Sequence, residues 1–395
     1  MRPKLLNCQK WEFHLSKLYH SKGVVWCSRC VMNTECDAEI QFNDSGVCNH
    51  CIRYKSLLPS RVLSGEAGEL ALKTLVSKIK KKGSGKQYDC LIGVSGGVDS
   101  SYVAYLTREL GLRPLAVHFD NGWNSELAVS NITSLLNQLN IDLITCVIDW
   151  EMFRDLQLAF LRASTPDGEI PTDHAINALL WKTAVDHNIK FIISGMNFAT
   201  ESITVPSWAY GHSDWKYIRD VQKKFGRKRL KNYPHFSLFW LMWANIFHGV
   251  RTVSLLNYVD YSKDSAQKTL TSNFDWTPYE GKHFESVYTR FFQGYVLPKK
   301  FSIDKRYGHY SDLINAGQMR REEALDLLHL PTYNKEAQNS DREYVIKKLA
   351  ISVKEFDEIM KLPIKSFRNY KNQYTQVQML RGLVNLLRRI GLYAR

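Results

Sequence analysis

The sequence has no stretch of uncharged apolar residues long enough to span a membrane. A spanning helix needs about 18 to 20 such residues, and the nearest candidate, residues 236–250 (FSLFWLMWANIFHGV), ends at Arg251 and includes Asn245 and His248. The first residues (MRPKLLNCQKWEFHLSKLY) place charges among their apolar positions, so the hydrophobic core of a secretory signal peptide is also missing. We therefore expect a cytoplasmic protein without stable membrane insertion.

Acidic residues are in the minority, 39 against 53 Lys and Arg, which gives a formal net charge of +14. This excess favours anionic partners such as nucleic acid, anionic lipids or phosphorylated substrates, and it carries no information about fold. The length of 395 residues suggests two or three domains, and 44% apolar with 23% charged residues is ordinary for a globular protein. Wholesale disorder and a coiled coil are excluded.

Four of the eight cysteines form two pairs, Cys27 with Cys30 and Cys48 with Cys51, separated by seventeen residues. In a reducing compartment this spacing favours a tetrahedral zinc site with four thiolates, which is structural because no position stays open. A short hairpin before the second pair would complete a zinc-ribbon-like module. A redox-active pair is the alternative, and Cys36 and His50 are near enough to act as ligands instead.

After a lysine-rich linker (residues 60–88), short apolar runs alternate with helical patterns. The predicted strands are residues 89–94, 114–119, 141–148 and 190–194, and the predicted helices are residues 101–110, 125–139, 151–162 and 173–187. Alternation of this kind predicts βαβ units and a doubly wound parallel sheet. Ligands of such sheets bind beyond the carboxyl ends of the strands.

A glycine-rich turn with the sequence SGGVDS joins the first predicted strand to the next helix. A strand, tight turn and helix start in this order direct several backbone N–H groups at one point, which makes a phosphate-binding nest. Gly96 and Gly97 permit close approach, and Ser95 and Ser100 add hydroxyl donors. Asp99 would hold a metal ion that bridges phosphates, or cap the helix. The Walker A pattern is missing, and a capped turn without a ligand is the alternative.

This turn resembles the PP-loop of the ATP pyrophosphatases. Those enzymes cleave ATP between the α and β phosphates, adenylate a carbonyl-type oxygen, and let a nitrogen or sulfur nucleophile displace AMP. The implied fold is an α/β, HUP-like doubly wound sheet.

Further stretches resemble the N-acetyl sugar amidotransferases of bacterial surface-glycan and O-antigen pathways. They are CSRCVM (27–32), FNDSGVCNHC (42–51), TDHAI (172–176), SGMNFATES (194–202), LNYVDY (256–261) and GKHFES (281–286). The likeness covers roughly residues 25–330. One departure is Met196, where a small or acidic residue is expected, and it would alter local ligand contacts.

The resemblance implies that ATP and Mg²⁺ serve to convert an acetamido group of a nucleotide-linked sugar into an acetamidino group. Asp99 would bind magnesium, and Lys282 and Arg290 would act on the departing pyrophosphate; for any single basic residue, a solvated face is the alternative. The implied ATP contacts are Ser95, Gly96, Gly97, Asp99, Ser100, His118, Asp120, Asn121, Lys299, Lys305 and Arg306. The candidates for sugar or imidate contacts are Asp173, His174, Asn197, Thr200 and Glu201. His174 could instead be an ordinary helix-start residue.

The sequence offers no ammonia source of its own. Arg2 follows Met1, which argues against an N-terminal-cysteine glutaminase, and no Gly-x-Cys-x-Gly nucleophile elbow occurs. We therefore expect a separate glutaminase, and the resemblance implies one with a cyclase-like barrel that delivers ammonia through a channel. Nucleic acid is not an expected partner.

Four regions are predicted along the chain. They are a zinc-binding module (1–60), a PP-loop ATP pyrophosphatase domain (61–230), an aromatic and basic region for substrate and pyrophosphate (231–330) and a helical C-terminal region (331–395). The apolar segments 236–250 and 377–392 favour ordinary core packing, with a protein partner, or a membrane in the case of a basic amphipathic helix, as the alternatives.

Two other functions compete. A PP-loop tRNA-modifying enzyme of the thiolase type also suits a zinc module and positive charge, but thiolation needs a further cysteine pair near the nucleotide. Cys90 and Cys146 fall inside predicted strands, where buried thiols are usually inert. A non-catalytic zinc-containing binding module with a relic nucleotide fold is the second alternative, and the intact SGGVDS turn counts against it.

Overall fold

The computed structural model describes residues 23–279, 281 and 284–389. Within these residues one sheet is formed by β1 (Cys90–Gly93), β2 (Pro114–Asp120), β3 (Asp142–Val147), β4 (Phe191–Ser194) and β5 (Arg251–Ser254). All neighbouring pairs are parallel and the spatial order is β3-β2-β1-β4-β5. The order reverses between β1 and β4, which confirms the predicted doubly wound sheet. β5 is a strand that the sequence did not predict.

Helices cover both faces of the sheet and form the region that follows it. The helices up to β5 are α1 (Asn49–Arg61), α2 (Gly65–Gly83), α3 (Val98–Glu109), α4 (Glu126–Leu139), α5 (Trp150–Ala163), α6 (Ile170–Asp186), α7 (Trp215–Phe225) and α8 (Leu238–Ile246). A 3₁₀ turn (Leu255–Tyr258), α9 (Lys263–Asn273), α10 (Val287–Phe291), a π-helical segment (Phe292–Phe301), α11 (Arg306–Asn315) and α12 (Arg321–His329) follow. The chain continues with α13 (Lys335–Lys348), α14 (Val353–Lys361), a 3₁₀ turn (Phe367–Asn369) and α15 (Tyr374–Arg389). This confirms the predicted helical C-terminal region.

The central strands β1, β2 and β4 are mostly apolar because they are buried on both faces. Leu91 and Leu115 pack with α6 on one side. Ile92 and Ala116 pack on the other side, against residues of α2, α3, α4 and α9. Each fully buried aliphatic side chain contributes about 1.5 to 3 kcal/mol. This two-sided core fixes the carboxyl ends of the strands, where the SGGVDS turn begins.

Two segments differ from the sequence prediction. α6 begins at Ile170, three residues earlier than predicted, because Pro171 lies in the first turn of a helix, where its missing N–H has no partner to lose. The predicted core packing of residues 236–250 is wrong for α8. Ala244 is its one buried residue, and Phe239 is 80% exposed.

The helices of the C-terminal region pack into the same hydrophobic core as the end of the sheet. Phe291 and Phe292 are fully buried there, together with Phe356 of α14. A Cβ on Gly168 would lie 2.4 Å from the edge of the Phe292 ring, which is too close for a side chain. Glycine is therefore required at that position. None of the helices in the described ranges is long and apolar enough to cross a bilayer.

Candidate active site and metal centre

The two cysteine pairs meet at one buried point. Cys27 and Cys30 lie in a tight turn, whereas Cys48 caps the N-terminus of α1 and Cys51 lies in the first turn of that helix. The second pair therefore stands at a helix start rather than in a β-ribbon. The four Sγ atoms all lie within 4.8 Å of one another, and those of Cys30 and Cys48 are 3.8 Å apart.

These separations fit a tetrahedral zinc ion, whose Zn–S bonds of about 2.3 Å place its sulfur ligands about 3.8 Å apart. Four thiolates leave no coordination position for a substrate, so such an ion would be structural. The N–H of Cys48 points at Sγ of Cys27 (3.3 Å), and Nδ2 of Asn315 lies 3.3 Å from Sγ of Cys51. Donors of this kind offset the negative charge that the thiolates concentrate.

The two alternative zinc ligands are engaged elsewhere. Nε2 of His50 lies 2.7 Å from Oδ2 of Asp37. Sγ of Cys36 contacts Sδ of Met32 (3.9 Å) and the carbonyl oxygen of Asn33 (3.3 Å). Burial raises the pKa of Cys36 to about 12, which keeps this thiol protonated at neutral pH.

The turn after β1 has the geometry of an anion nest. Gly96 has a φ of +82°, and a Cβ at this position would lie 2.7 Å from the carbonyl oxygen of Ala128, so a side chain does not fit. The hydroxyl oxygens of Ser95 and Ser100 are 3.2 Å apart, and the N–H of Ser95 donates to Oγ of Ser100. Because α3 begins at Val98, the N–H groups of its first turn have no partners within the helix and are available to an anion.

Residues far along the chain complete the surroundings of this turn. The Tyr261 hydroxyl donates to the Asp99 carboxylate, and the Tyr279 hydroxyl donates to the carbonyl oxygen of Gly96 (3.1 Å). Burial raises the pKa of Tyr261, and the nearby charges of Asp99 and Glu201 raise it further. The loop after β4 (residues 195–214, here the post-β4 loop) also lies against the start of α3, since a Cβ on Gly195 would stand 3.1 Å from the carbonyl carbon of Asp99.

A third carboxylate stands beside Gly97. Oε1 of Glu285 would lie 3.5 Å from a Cβ on that glycine, and the adjoining Ser286 pairs with Asn124 in an isolated antiparallel bridge. Carboxylate oxygens and substrate phosphates are the ligands that Mg²⁺ prefers in proteins. Asp99 and Glu285 therefore bring two carboxylates to the nest, and the binding of magnesium by Asp99 stays a prediction.

Sequence reasoning assigned no role to Tyr261, Tyr279 and Glu285. Tyr261 and Glu285 stand in the stretches LNYVDY and GKHFES, which carried the family resemblance. Their position in these stretches was the signal in the sequence that could have pointed to a functional role. The stretches alone do not say which of their side chains lies near the nest. Tyr279 lies outside both stretches, and nothing in the sequence pointed to it.

His118, near the carboxyl end of β2, holds the start of the nest. Its Nδ1 lies 2.8 Å from the carbonyl oxygen of Val94, and its Nε2 lies 3.0 Å from Nδ2 of Asn124. These partners require a proton on Nδ1 and a lone pair on Nε2. The ring is only 7% exposed, so it supports the junction between β1 and the turn. Its contact with adenosine stays a prediction.

The other two predicted ATP contacts of this region, Asp120 at the end of β2 and Asn121 just after it, also bind within the chain. Asp120 accepts a hydrogen bond from the backbone N–H two residues later (2.9 Å). Nδ2 of Asn121 donates to the Thr172 hydroxyl (3.1 Å), which ties the end of β2 to the start of α6. Asp173, in the next position, is half-exposed, and its carboxylate lies 3.4 Å from Nε2 of His212.

His174 packs inside an aromatic stack. Its ring is fully buried and lies parallel to Trp215 (5.9 Å between centroids) and Tyr233 (6.3 Å). Its Nδ1 lies 3.0 Å from the carbonyl oxygen of His212. Burial lowers the pKa of His174 to about 4, so the ring is neutral. This is the packing role that the sequence left open, and it removes His174 from the set of direct substrate contacts.

The post-β4 loop carries three of the predicted substrate residues and is braced from the cysteine module. Oδ1 of Asn197 accepts both the N–H (2.8 Å) and the hydroxyl (2.9 Å) of Thr200. The hydroxyl of Tyr54, on α1, donates to the carbonyl oxygen of Ala199 (3.2 Å). Nδ2 of Asn197 is buried and has no hydrogen-bond partner among the residues that the structure describes.

Helix α11 links this loop to the cysteine centre. The buried Asp312 carboxylate accepts the Ser202 hydroxyl (2.6 Å) and the N–H of Ile203 (2.9 Å). One turn later on the same helix, Asn315 donates to Cys51. The loop and the metal ligands are therefore held by two residues of one helix.

The predicted pyrophosphate cations are mostly paired. Nζ of Lys305 lies 2.9 Å from Oε2 of Glu169. The Arg290 guanidinium makes a two-point contact with Asp341 (2.7 and 2.6 Å) and lies over the Phe284 ring at 4.7 Å. Both cations line a large cleft beside the C-terminal region.

Two other cations have structural roles. Arg306 donates to Asp304 and to carbonyl oxygens in the last turn of α12 and just after it, so we leave it out of the proposed ATP site. Lys300 is buried and donates to three carbonyls at the end of α14. Lys299 lies over the Tyr295 ring at 4.0 Å, and Lys282 falls outside the described residues.

A cleft of about 1660 Å³ separates the post-β4 loop from the C-terminal region. Five of the predicted site residues line it, namely Thr200, Glu201, Arg290, Lys305 and Arg306. Asp167 is a further lining residue that the sequence did not indicate. Burial raises the pKa of Asp167 to about 6, although the Tyr217 hydroxyl donates to it (2.7 Å). A carboxyl group poised in this range is suited to proton transfer near neutral pH.

The strand positions of Cys90 and Cys146 match the sequence prediction. Cys90 is buried in β1, Cys146 lies in β3, and burial raises the pKa of both thiols. Neither is a ready nucleophile, since the thiolate is the reactive form.

Comparison with known families agrees with this site. The NAD synthase family matches residues 69–164, which include β1 to β3 and the nest. The C-terminal domain of WbpG-like LPS biosynthesis proteins matches residues 285–383. The first match and the fold define an ATP-utilising PP-loop domain of the ATP pyrophosphatase superfamily. The chain joins that domain to a WbpG-like C-terminal domain, which confirms the resemblance to PP-loop enzymes of surface-glycan biosynthesis.

Solved structures of similar topology include an NMN synthetase from Francisella tularensis (15% identity, 73% of this chain, 98% of that chain, TM-score 0.35). An NH₃-dependent NAD synthetase from Campylobacter jejuni (17% identity, 53% and 85% covered, TM-score 0.28) and a predicted tRNA methyltransferase subunit from Methanocaldococcus jannaschii (12%, 46% and 75%, 0.28) are also similar. Likenesses this distant carry no functional argument. No curated protein matches the sequence.

Proposed function

We propose that the protein is the synthetase component of an ATP-dependent amidotransferase that converts an acetamido group of a nucleotide-linked N-acetyl sugar into an acetamidino group. The proposal rests chiefly on one juxtaposition. Two adjacent residues connect the anion nest of a PP-loop domain with a large cleft, since Glu285 stands beside Gly97 and Phe284 lines the cleft. Part of the wall of that cleft belongs to a WbpG-like domain.

An amide is a poor electrophile because its nitrogen donates electrons into the carbonyl group, so the oxygen must first become a leaving group. The amide oxygen attacks the α-phosphorus of ATP, a P–O bond to pyrophosphate breaks, and an O-adenylated imidate forms. Ammonia then adds to the imidate carbon, and AMP departs with the former amide oxygen. Catalysis consists of positioning the reactants and stabilising the charge on the departing phosphates.

The residues of the chain divide between these tasks. The nest (Ser95, Gly96, Gly97 and Ser100) would hold the phosphates, and Asp99, with Glu201 and Glu285 nearby, would bind the magnesium that neutralises them. Thr200 and Glu201 would face the acetamido group, and Arg290 and Lys305 would approach the substrate from the opposite wall. A separate glutaminase with a cyclase-like barrel would supply ammonia, and the reaction would serve the biosynthesis of O-antigen or another surface glycan.

An isotope experiment tests the chemistry directly. We expect a nucleotide-linked acetamido sugar labelled with ¹⁸O in its amide to pass the label to AMP, with release of pyrophosphate and a sugar product about 3 Da lighter than the labelled substrate. ATP and an ammonium salt should suffice for the purified chain, whereas glutamine should work only when the partner is added. ADP in place of AMP, or label retained in the sugar, would overturn the proposal. Copurified RNA would instead favour the tRNA-modifying alternative.

A further inference from the structure

Helix α8 turns its apolar side to solvent. Phe239, Met242, Trp243, Ile246 and Phe247 recur at the spacing of one helix face, and we call this set the apolar stripe. Their side chains are 80%, 41%, 41%, 62% and 76% exposed. In an ordinary surface helix a stripe with this spacing faces the core. Large exposed apolar patches in water-facing proteins mark interaction sites.

Cations stand directly beside this stripe. Lys78, Lys82, Lys190 and Arg251, here called the basic cluster, line a cavity of about 340 Å³ together with Ile246 and Phe247. Among the described residues that line this cavity there is no Asp or Glu. Lys86 lies close by, and its pKa is lowered by burial and by the charges of Lys190 and Lys82, which shows how closely the like charges are gathered.

The position of this surface in the fold is equally specific. Lys190 precedes β4, Arg251 begins β5, and α8 ends just before β5. The stripe and the cluster therefore lie at the amino ends of the strands, whereas the nest lies at the carboxyl ends. The buried side chains of the sheet separate the two edges. A partner that docks here would not open a direct path for ammonia to the nest.

From this juxtaposition we propose that the apolar stripe and the basic cluster dock the protein onto an anionic membrane surface. Aromatic side chains on a short helix insert at the headgroup level, while neighbouring Lys and Arg attract anionic lipids. The net charge of +14 favours the same partner. The docked orientation would leave the nest and the cleft facing away from the lipid. This inference goes beyond the proposed function and does not depend on it.

Vesicle cosedimentation of the full chain tests the proposal. We expect binding to vesicles of phosphatidylcholine with phosphatidylglycerol and much weaker binding to phosphatidylcholine alone. The double variant Phe239→Ser, Phe247→Ser should lower the partition coefficient by at least about tenfold, since each buried apolar side chain contributes about one decade or more. Lys78→Gln with Lys82→Gln should lower binding by about tenfold on anionic vesicles only.

Two matched variants control for general effects. Leu70→Ser with Val147→Ser removes two apolar side chains that are 68% and 71% exposed elsewhere, and Lys347→Gln with Lys354→Gln removes two cations of the C-terminal region. Both should bind as the unchanged chain does, and all variants should keep its thermal unfolding and ATP turnover. The proposal fails if the chain binds neither vesicle, or if the α8 variant binds undiminished. It also fails if the stripe is covered by a second copy, seen as a dimer that Phe239→Ser, Phe247→Ser dissociates.

Discussion

The cysteine centre and the nest after β1 are both sites where backbone N–H groups converge on negative charge, but they are completed in different ways. The cysteine centre takes its ligands from 25 consecutive residues, Cys27 to Cys51, and leaves no position open. The nest takes only its glycines and serines from one turn, and residues such as Tyr261 and Glu285 come from segments more than 150 positions away. A closed site can be recognised from spacing, whereas an open one depends on the fold.

The largest effect should come from breaking the closed site. Replacing Cys48 by serine removes one of four thiolates, so we expect loss of the metal and of soluble protein, because the free energy of metal binding is part of the folding free energy of so small a module. Cys36→Ser is the matched control, since this thiol contacts Met32 and Asn33 instead. Metal content by mass spectrometry decides the outcome, and a soluble, fully loaded Cys48→Ser protein would contradict the four-thiolate assignment.

Breaking the open site should abolish turnover and spare the fold. With Asp99→Asn we expect pyrophosphate release to fall by about a thousandfold, the scale of losing one charge-stabilising group in an active site. Thermal unfolding should stay unchanged because Asp99 is not part of a buried core. Asp264→Asn, an exposed carboxylate in the first turn of α9, should have no effect on release. Residual turnover near that of the unchanged chain would remove Asp99 from the proposed mechanism.

Helix α11 connects the cysteine centre to the loop after β4, and a single substitution can break this connection. Asp312→Asn replaces an acceptor oxygen with an NH₂ group opposite the Ser202 hydroxyl and the N–H of Ile203. A buried donor that loses its hydrogen-bond acceptor lowers the free energy of unfolding by about 1 to 3 kcal/mol. We therefore expect faster amide hydrogen exchange in residues 196–208 and a KM for the sugar raised by about tenfold, with the metal content kept.

Asp326→Asn, an exposed position on α12, is the control for this variant. Metal loss in Asp312→Asn would show that α11 supports the centre itself rather than transmitting its position to the loop. Unchanged exchange in residues 196–208 would mean that Tyr54 and Arg53, which also contact this loop, hold it without help from α11.

The contrast between the sites also explains what could be predicted from the sequence. Strands β1, β2 and β4 follow from apolar runs, because burial on both faces leaves little room for polar residues. β3 was also predicted from its apolar residues, although it is an edge strand with several exposed side chains. β5 was missed because its sequence, RTVS, lies at an edge with two exposed residues. The four cysteines and the nest were found from local patterns. His174 and Arg306 were not resolved by pattern, since a buried stack and a cap on backbone carbonyls depend on partners that only the fold brings near.

The smallest expected effect distinguishes two reasons for a glycine at position 96, the positive φ of its backbone and the lack of space for a Cβ. Gly96 and Gly85 both have positive φ, +82° and +74°, but a Cβ on Gly96 would meet Ala128 whereas one on Gly85 would meet nothing within 4 Å. Gly85→Ala should therefore cost about 1 kcal/mol from backbone strain alone, and Gly96→Ala about 1 to 2 kcal/mol more because the start of α4 must shift. Urea unfolding of both variants measures the difference. Equal losses would mean that the nest is loose enough to admit a methyl group, and its fit to phosphate would then have to come from the bound nucleotide rather than from the free chain.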